Sequence, residues 1–127
     1  MKIVVLDGSS TVRKKIEDLL LDMDFDELDI DLFENGEEAL DFIRLNGADL
    51  IFSSIETKGM DGVTFVDHII RENENYISKL FVVTSHKSGE HFEDIKDIGA
   101  KRFIKKPINE EHFKHFVIPE IRKVLKS

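Results

Sequence analysis

Four short apolar runs alternate along this chain with longer segments in which apolar residues recur at helical spacing. The runs lie at 3–6, 50–52, 80–83 and 103–104, and polar residues follow each of them directly. Continuous apolar runs are typical of strands buried on both faces, and helical segments between them are typical of crossovers in a parallel sheet. A fifth run, at 28–33, alternates apolar and polar residues as an edge strand does. The pattern predicts five βα units.

The predicted elements follow from this periodicity and from capping residues. Strands are expected at about 2–7, 28–33, 49–53, 79–84 and 102–105, and helices at about 10–22, 36–47, from 61, up to 99, and from 109 to the C-terminus. Asp61 is expected to cap the third helix. Pro119 lies inside the fifth helix and removes the backbone bond to His115, so we expect it to kink or split that helix.

Composition places the chain among globular domains and excludes several kinds of chemistry. Its 127 residues fit a single domain, 1–127. The absence of cysteine excludes disulfides, thiol nucleophiles and thiolate metal sites. The formal net charge of −8 disfavours non-specific binding to nucleic acid or to an anionic membrane. No apolar stretch approaches the roughly 20 residues that cross a bilayer. We therefore expect a cytoplasmic domain.

Polar side chains come directly after the strands, at the edge where an open parallel sheet binds its ligands. Asp7 follows the first strand, Ser53 and Ser54 end the third, Thr84 ends the fourth, and Lys106 follows the fifth. The sequence therefore predicts that one carboxylate, two or three hydroxyl groups and one ammonium group converge at this edge.

In this order and at these spacings, the motifs resemble those of bacterial response regulator receiver domains, the family of the chemotaxis regulator. The resemblance spans essentially the whole chain, and it is carried by the residues 5–13, Met60-Asp61-Gly62, 82–85, Gly99-Ala100 and Lys106-Pro107. It implies a flavodoxin-like α/β fold, with a doubly wound five-stranded parallel sheet in the order 2-1-3-4-5 and helices on both faces. It also implies a non-enzymatic role in two-component phosphorelay signalling.

Family members bind Mg²⁺ through an acidic pair after strand 1 and accept a phosphoryl group on an Asp at the end of strand 3. A Thr or Ser after strand 4 and a Lys before Pro contact the phosphoryl oxygens. By position, Asp7, Thr84 and Lys106 match this pattern. Two positions depart from it. Gly8 stands where the second acidic residue is usual, and Ser54 stands where the phospho-accepting Asp belongs.

These departures remove most of the negative charge and the nucleophile that phosphorylation requires. Mg²⁺ prefers carboxylate and other hard oxygen ligands, but Asp7 and Lys106 together carry no net charge. Glu56 is the one replacement ligand at the rim, so we expect either a Lys106 ion pair with Asp7 or Glu56, or at best millimolar Mg²⁺ affinity. A serine must lose a proton to a base before it attacks. We expect a degenerate receiver without a cofactor, in which Ser54 is a small hydrogen-bonding residue.

Family members bind partners through helix 4, strand 5 and helix 5. Phe103 occupies the aromatic position whose rotamer reports activation in the family, and Arg102 and Lys105 lie in a basic run beside it. The resemblance therefore implies that a signalling protein docks here. The basic run could also be a solvated sheet edge with one inward lysine.

Two other functional interpretations remain open, and two candidate metal sites are less favoured. The hydroxyl-rich turn at 7–11 could hold a phosphate, as in a small-molecule-binding flavodoxin-like domain, although Ser9 or Ser10 as the cap of helix 1 is simpler. An ordinary phosphoreceiver altered at Ser54 by design is also possible. His112 and His115 share a helix face, but zinc requires a further ligand. The Asp-rich segment 22–31 lacks the glycine and glutamate of an EF-hand loop.

Overall fold

A computed structural model describes residues 1–85 and 89–126 of the chain. A five-stranded parallel sheet in the order β2-β1-β3-β4-β5 forms its centre, as predicted. The elements in chain order are β1 Lys2–Leu6, α1 Ser10–Leu21, β2 Asp29–Phe33, α2 Gly36–Asn46, β3 Leu50–Ser54, α3 Gly62–Glu72, β4 Leu80–Thr84, α4 Gly89–Ile98, β5 Phe103–Lys105 and α5 Glu110–Lys126. A short 3₁₀ helix that the sequence pattern did not predict, Glu74–Lys79, precedes β4.

Alternate residues of the buried strands supply two separate cores, one on each face of the sheet. On one face Val4, Leu6 and Ile51 pack with α2, α3 and α4. On the other face Val5 and Phe52 pack with α1 and α5. Because β1, β3 and β4 are covered on both faces, their sequences are apolar throughout. The edge strand β2 is exposed at Asp29 and Leu32 and half-buried at Ile30, Asp31 and Phe33, so it is less covered than the central strands, and its exposure does not follow the alternation of its sequence.

Side-chain caps fix the starts of α1 and α3, which lead away from the edge of the sheet at the carboxyl ends of the strands. The Ser9 hydroxyl accepts a hydrogen bond from Val12 N at 3.3 Å, which confirms the simpler interpretation of that turn as a helix cap. Asp61 caps α3 by accepting from Thr64 N at 2.9 Å, as predicted. Each cap satisfies a backbone N–H that the helix itself leaves without a partner.

The last helix is not split at Pro119, so that part of the expectation was wrong. The helix α5 continues unbroken from Glu110 to Lys126. Its inner face buries Phe113, Val117 and Ile121 at four-residue spacing, while Pro119 lies on the exposed side. Packing of that inner face holds the helix together, and the carbonyl group that loses its helical partner lies on the side that water can reach.

The loop between β3 and α3 is tied by backbone hydrogen bonds to both of the neighbouring loops at this edge. Gly8 N donates to Glu56 O at 3.0 Å. Lys58 N donates to Glu34 O at 2.9 Å, and Gly36 N donates to Lys58 O at 3.2 Å. The loop that carries Glu56 is therefore fixed relative to β1 and β2 before any ligand is considered.

Candidate functional site

An ion pair between the end of β1 and the end of β5 lies at the centre of the functional edge. Lys106 Nζ is 2.9 Å from Asp7 Oδ2, and the two side chains are 15% and 2% exposed. The other carboxylate oxygen of Asp7 accepts a hydrogen bond from Ser9 N at 2.8 Å. Lys106 is aligned by its own backbone, whose N–H donates to Thr84 O at 2.6 Å. The ion pair is one of the two contacts expected from the sequence.

Ser54 is buried at the end of β3, and its hydroxyl oxygen accepts two hydrogen bonds. Lys106 Nζ donates to Ser54 Oγ at 3.1 Å, and Glu56 N donates to it at 3.0 Å. Lys106 thus joins Asp7 and Ser54, so the predicted convergence of these three side chains is present. Thr84 lies at the end of the neighbouring strand and is also buried.

The α3 start closes against Ser54 because a glycine stands there. A Cβ atom at Gly62 would overlap the Ser54 carbonyl oxygen and the backbone of Ile55. Gly62 N donates to Ile55 O at 3.1 Å, so the helix begins in direct contact with the strand end. The Met60-Asp61-Gly62 motif therefore serves packing next to the site as well as helix capping.

Gly8 and Glu56 form the open side of the site. Besides accepting from Gly8 N, Glu56 accepts a hydrogen bond from Ser85 Oγ through Oε1 at 2.8 Å. A Cβ at Gly8 would lie 3.2 Å from Glu56 O, so a larger side chain there requires a small shift of the Glu56 backbone. A shallow cavity of about 330 Å³ opens here, lined by Asp7, Gly8, Ser9, Glu56, Thr57 and Lys58.

The groups that a divalent cation would use are already partly engaged within the fold. Asp7 already contacts Ser9 N and the Lys106 ammonium group, and the Glu56 carbonyl accepts from Gly8. Asp7 and Lys106 cancel in charge, while Mg²⁺ binding draws on uncompensated carboxylates. Within residues 1–85 and 89–126, no group of three or more His, Asp or Glu side chains could hold a metal ion.

The residues of the expected docking rim differ in how far they are available. Lys105 is exposed. Arg102 instead forms an ion pair with Glu120 of α5 at 3.3 Å and donates a hydrogen bond to Ile77 O at 3.4 Å. Its guanidinium group is therefore already paired within the fold. Phe103 is partly buried, with its ring 4.6 Å from that of Phe92. The sequence could not indicate the Arg102 ion pair, because Glu120 lies 18 residues further along the chain.

Comparison with known proteins identifies the class to which this fold and site belong. The family model of the response regulator receiver domain matches residues 3–118, and the chain therefore belongs to that family. Its members act in two-component signalling.

Two relatives and two solved structures illustrate the similarity. A protein-glutamate methylesterase/protein-glutamine glutaminase of Syntrophomonas wolfei is 35% identical over 107 residues, which cover 84% of this chain and 30% of that protein. The chemotaxis protein CheY-3 of Vibrio cholerae is 24% identical over 107 residues, covering 84% of this chain and 81% of that protein. The chain thus spans about 30% of the length of the methylesterase relatives that it matches.

Among solved structures, the receiver domain of NtrX from Brucella abortus superposes with a TM-score of 0.81 at 20% identity, over 94% of this chain and 98% of that one. The receiver domain of AraT from Geobacillus stearothermophilus gives a TM-score of 0.82 at 19% identity, over 98% and 95%. These likenesses support the fold. No helix in the described part of the chain is both long and apolar enough to span a membrane.

Proposed function

We propose that this receiver domain does not use an aspartyl-phosphate switch and acts as a protein-interaction module in two-component signalling. The observation that carries the proposal is the Ser54 hydroxyl, which stands in the phosphoacceptor position and accepts from both Lys106 Nζ and Glu56 N. An acceptor whose oxygen receives two hydrogen bonds and whose neighbour is a protonated amine lacks a base to activate it.

The electrostatics of the site support the same conclusion. Phosphoryl transfer depends on cations that neutralise the charge developing on the transferred group. Mg²⁺ normally supplies most of this positive charge. Here the Lys106 ammonium group is paired with Asp7, and Gly8 contributes no carboxylate. The pocket therefore has little attraction for Mg²⁺ and no ionised nucleophile to attack a phosphodonor.

The test is exposure of the unmodified domain to acetyl phosphate, and separately to beryllofluoride, each with Mg²⁺. Intact mass spectrometry is expected to show no phosphoryl adduct, and amide NMR is expected to show no change around Asp7, Ser54 and Lys106. A labile phosphoryl group on the unmodified chain would refute the proposal.

The matched control is the double variant Gly8→Asp/Ser54→Asp, which restores both missing carboxylates. We expect this variant to respond to beryllofluoride and Mg²⁺ through amide shifts at the same strand ends. If the parent responds and the variant does no better, the missing carboxylates are not what distinguishes this domain.

A further inference from the structure

The strand β2 combines exposure and charge that the site described above does not use. Asp29 is exposed, and Ile30 and Asp31 are half-buried. The side chain of Leu32 is 37% exposed. We call residues 29–32 and their outer side the β2 edge. It lies at the opposite end of the strand order from β5, so it is separate from the surface formed by α4, β5 and α5.

The outward backbone groups of the β2 edge have no neighbouring strand. Asp29 N donates to Met1 O at 2.8 Å, so the backbone of Asp29 points toward β1. Backbone groups alternate in direction along a strand, and those of Ile30 and Leu32 therefore point away from β1. Within the described residues, β2 is the last strand on this side of the sheet. Such an edge is a template for a further strand.

Side chains of the β2 edge alternate between the two faces of the sheet. Ile30 packs against the core under α1 and α5, and Leu32 shares that face. Phe33 packs against the core under α2 and α3, so Asp29 and Asp31 share the other face. A strand added outside β2 would therefore place alternate residues beside the two aspartates and the residues between them beside the two aliphatic side chains.

The carboxyl groups of the β2 edge are not neutralised by an ion pair. None of the ion pairs within residues 1–85 and 89–126 includes Asp29 or Asp31. Lys2 lowers the pKa of Asp31, but burial and the charge of Asp29 raise this pKa more. A cationic side chain beside these carboxylates would supply a favourable interaction that the fold itself lacks.

The aliphatic face of the β2 edge favours an uncharged neighbour. A shallow cavity of about 560 Å³ lies there, lined by Leu32 together with Ser10, Thr11, Arg13 and Lys14. Two of these residues are basic, so a cationic side chain on this face would be repelled. An apolar side chain would instead extend the contact surface of Leu32.

We propose that the β2 edge binds an extended, basic segment of a partner protein, which adds a strand outside β2. Lysine or arginine residues at alternate positions of the segment face Asp29 and Asp31, and the apolar residues between them face Ile30 and Leu32. Main-chain hydrogen bonds to the edge then give affinity, and the alternation of side chains gives specificity. The inference rests on the proposed function, because it names the chemistry of a partner for an interaction module.

Charge argues against a second copy of this chain as the occupant. Pairing of two β2 edges would bring the aspartates of one copy close to those of the other, and like charges on neighbouring strands are destabilising. Each copy also has a formal net charge of −8. Charged side chains on an edge strand can serve only to prevent aggregation, and in that case the β2 edge would bind no segment at all.

The experiment is selection of a random peptide library displayed on phage against the immobilised domain, at about 0.15 M salt so that non-specific attraction is screened. We expect the enriched peptides to alternate basic and apolar residues. Absence of enrichment over a blank support would mean that the charges of the β2 edge only protect it, and would overturn the proposal. Enrichment of acidic or neutral peptides would overturn it as well.

Variants then locate the binding site of an enriched peptide. Asp29→Asn/Asp31→Asn should weaken binding about three- to tenfold, as loss of two partly exposed ion pairs does. The matched control is Glu93→Gln/Glu111→Gln, which removes the same number of charges at exposed positions on α4 and α5 and should leave affinity unchanged. Equal losses in both variants would mean that the peptide responds to net charge alone, and would overturn the assignment.

The aliphatic face is tested separately. Leu32→Ser should weaken binding of the same peptide, because the apolar residues of the segment lose part of their contact surface. Leu125→Ser, at an exposed position on α5, is the control and should have no effect. An unchanged affinity in Leu32→Ser would contradict the proposed alternation.

Amide hydrogen exchange distinguishes strand pairing from other modes of docking. A bound strand should slow exchange at Ile30 and Leu32, whose N–H groups point outward, whereas a helix laid on the β2 edge leaves these two amides unprotected. The second result would contradict strand pairing. None of these measurements uses phosphate or Mg²⁺, so a failed peptide selection leaves the phosphorylation test untouched, and a phosphorylated parent chain leaves the peptide result interpretable.

Discussion

The Lys106 ammonium group contacts a buried carboxylate and a buried hydroxyl at once, at 2.9 Å from Asp7 Oδ2 and 3.1 Å from Ser54 Oγ. In the family pattern, positive charge at this edge comes from a bound cation as well as from the lysine. Here the ammonium group of Lys106 neutralises Asp7, the one carboxylate of the family pattern that this chain keeps. The contact to Asp7 is an ion pair rather than an aligned hydrogen bond, because Oδ2 has no hydrogen-bond partner.

The ion pair of Lys106 with Asp7 should contribute to the stability of the fold. We expect Lys106→Met to lower the free energy of unfolding by about 3–5 kcal/mol, because it leaves the buried Asp7 carboxylate without its counter-ion. Urea denaturation followed by circular dichroism measures the change. The double variant Asp7→Asn/Lys106→Met removes the orphaned charge and should recover part of the loss. Lys105→Met, at the exposed neighbouring position, is the control and should change stability by less than about 0.5 kcal/mol. Equal losses at both lysines would contradict the argument.

Among the elements, the edge strand β2 has a carboxyl group whose ionised form is disfavoured by its surroundings. Burial raises the pKa of the Asp31 carboxyl, and the nearby charge of Asp29 raises this pKa further, while Lys2 lowers it less. Burial of an ionised carboxylate without an adjacent counter-ion lowers stability, so β2 has charge where an apolar or amide side chain would be tolerated better.

A pH-dependent prediction follows for Asp31. A carboxyl group whose pKa is raised in the folded state binds its proton more tightly there, so its ionised form lowers stability above the folded pKa. This cost disappears below the unfolded value of about 3.9. We expect Asp31→Asn to raise Tm at neutral pH and the gain to fade as the pH falls toward about 3. Asp26→Asn, in an exposed loop, is the control, and a gain that stays constant with pH would contradict the assignment.

The elements were largely predictable from sequence because each is specified locally. The apolar runs placed β1, β3 and β4 within a residue or two, and the Asp61 cap placed the start of α3. The split predicted at Pro119 was wrong because proline disfavours a helix interior only locally, whereas the whole inner face of α5 packs against the sheet. The 3₁₀ helix before β4 has no periodic signature of its own, since none of its residues is buried.

The site was predictable in its members but not in its connections. Motif spacing identified Asp7, Ser54 and Lys106, and charge counting suggested their ion pair. The bond from Gly8 N to Glu56 O and the bond from Ser85 to Glu56 depend on loop conformations, which have no sequence periodicity. These loop contacts engage the carbonyl oxygen and Oε1 of Glu56.

Across the whole molecule, three loops at one end of the sheet are joined by hydrogen bonds and an ion pair of the chain itself. The loop after β3 bonds to those after β1 and β2 through Glu56, Lys58 and their partners, and Lys106 connects β5 to β1 and β3. A ligand that binds only the folded state raises its stability according to concentration and affinity. The stability of this domain should therefore be independent of Mg²⁺.

This prediction is checked by thermal unfolding with and without about 10 mM MgCl₂, a concentration at which a site with a Kd of about 0.1 mM would add about 2.7 kcal/mol. We expect Tm to change by less than about 1 °C relative to NaCl of the same ionic strength, because salt alone screens the net charge of −8. The variant Gly8→Asp/Ser54→Asp should gain several degrees with Mg²⁺. An equal gain in the parent chain would contradict the account of the site.

The two hydrogen bonds to Ser54 Oγ also determine how a genetic experiment on this domain is interpreted. Replacement of the acceptor position by alanine is a usual way to ask whether a strain requires phosphorylation. In this chain Ser54→Ala would instead leave the Glu56 backbone amide without its acceptor and remove one of the two contacts of the Lys106 ammonium group, which keeps its ion pair with Asp7. A mutant phenotype from that allele would then report a local change in packing as well as the loss of the hydroxyl group.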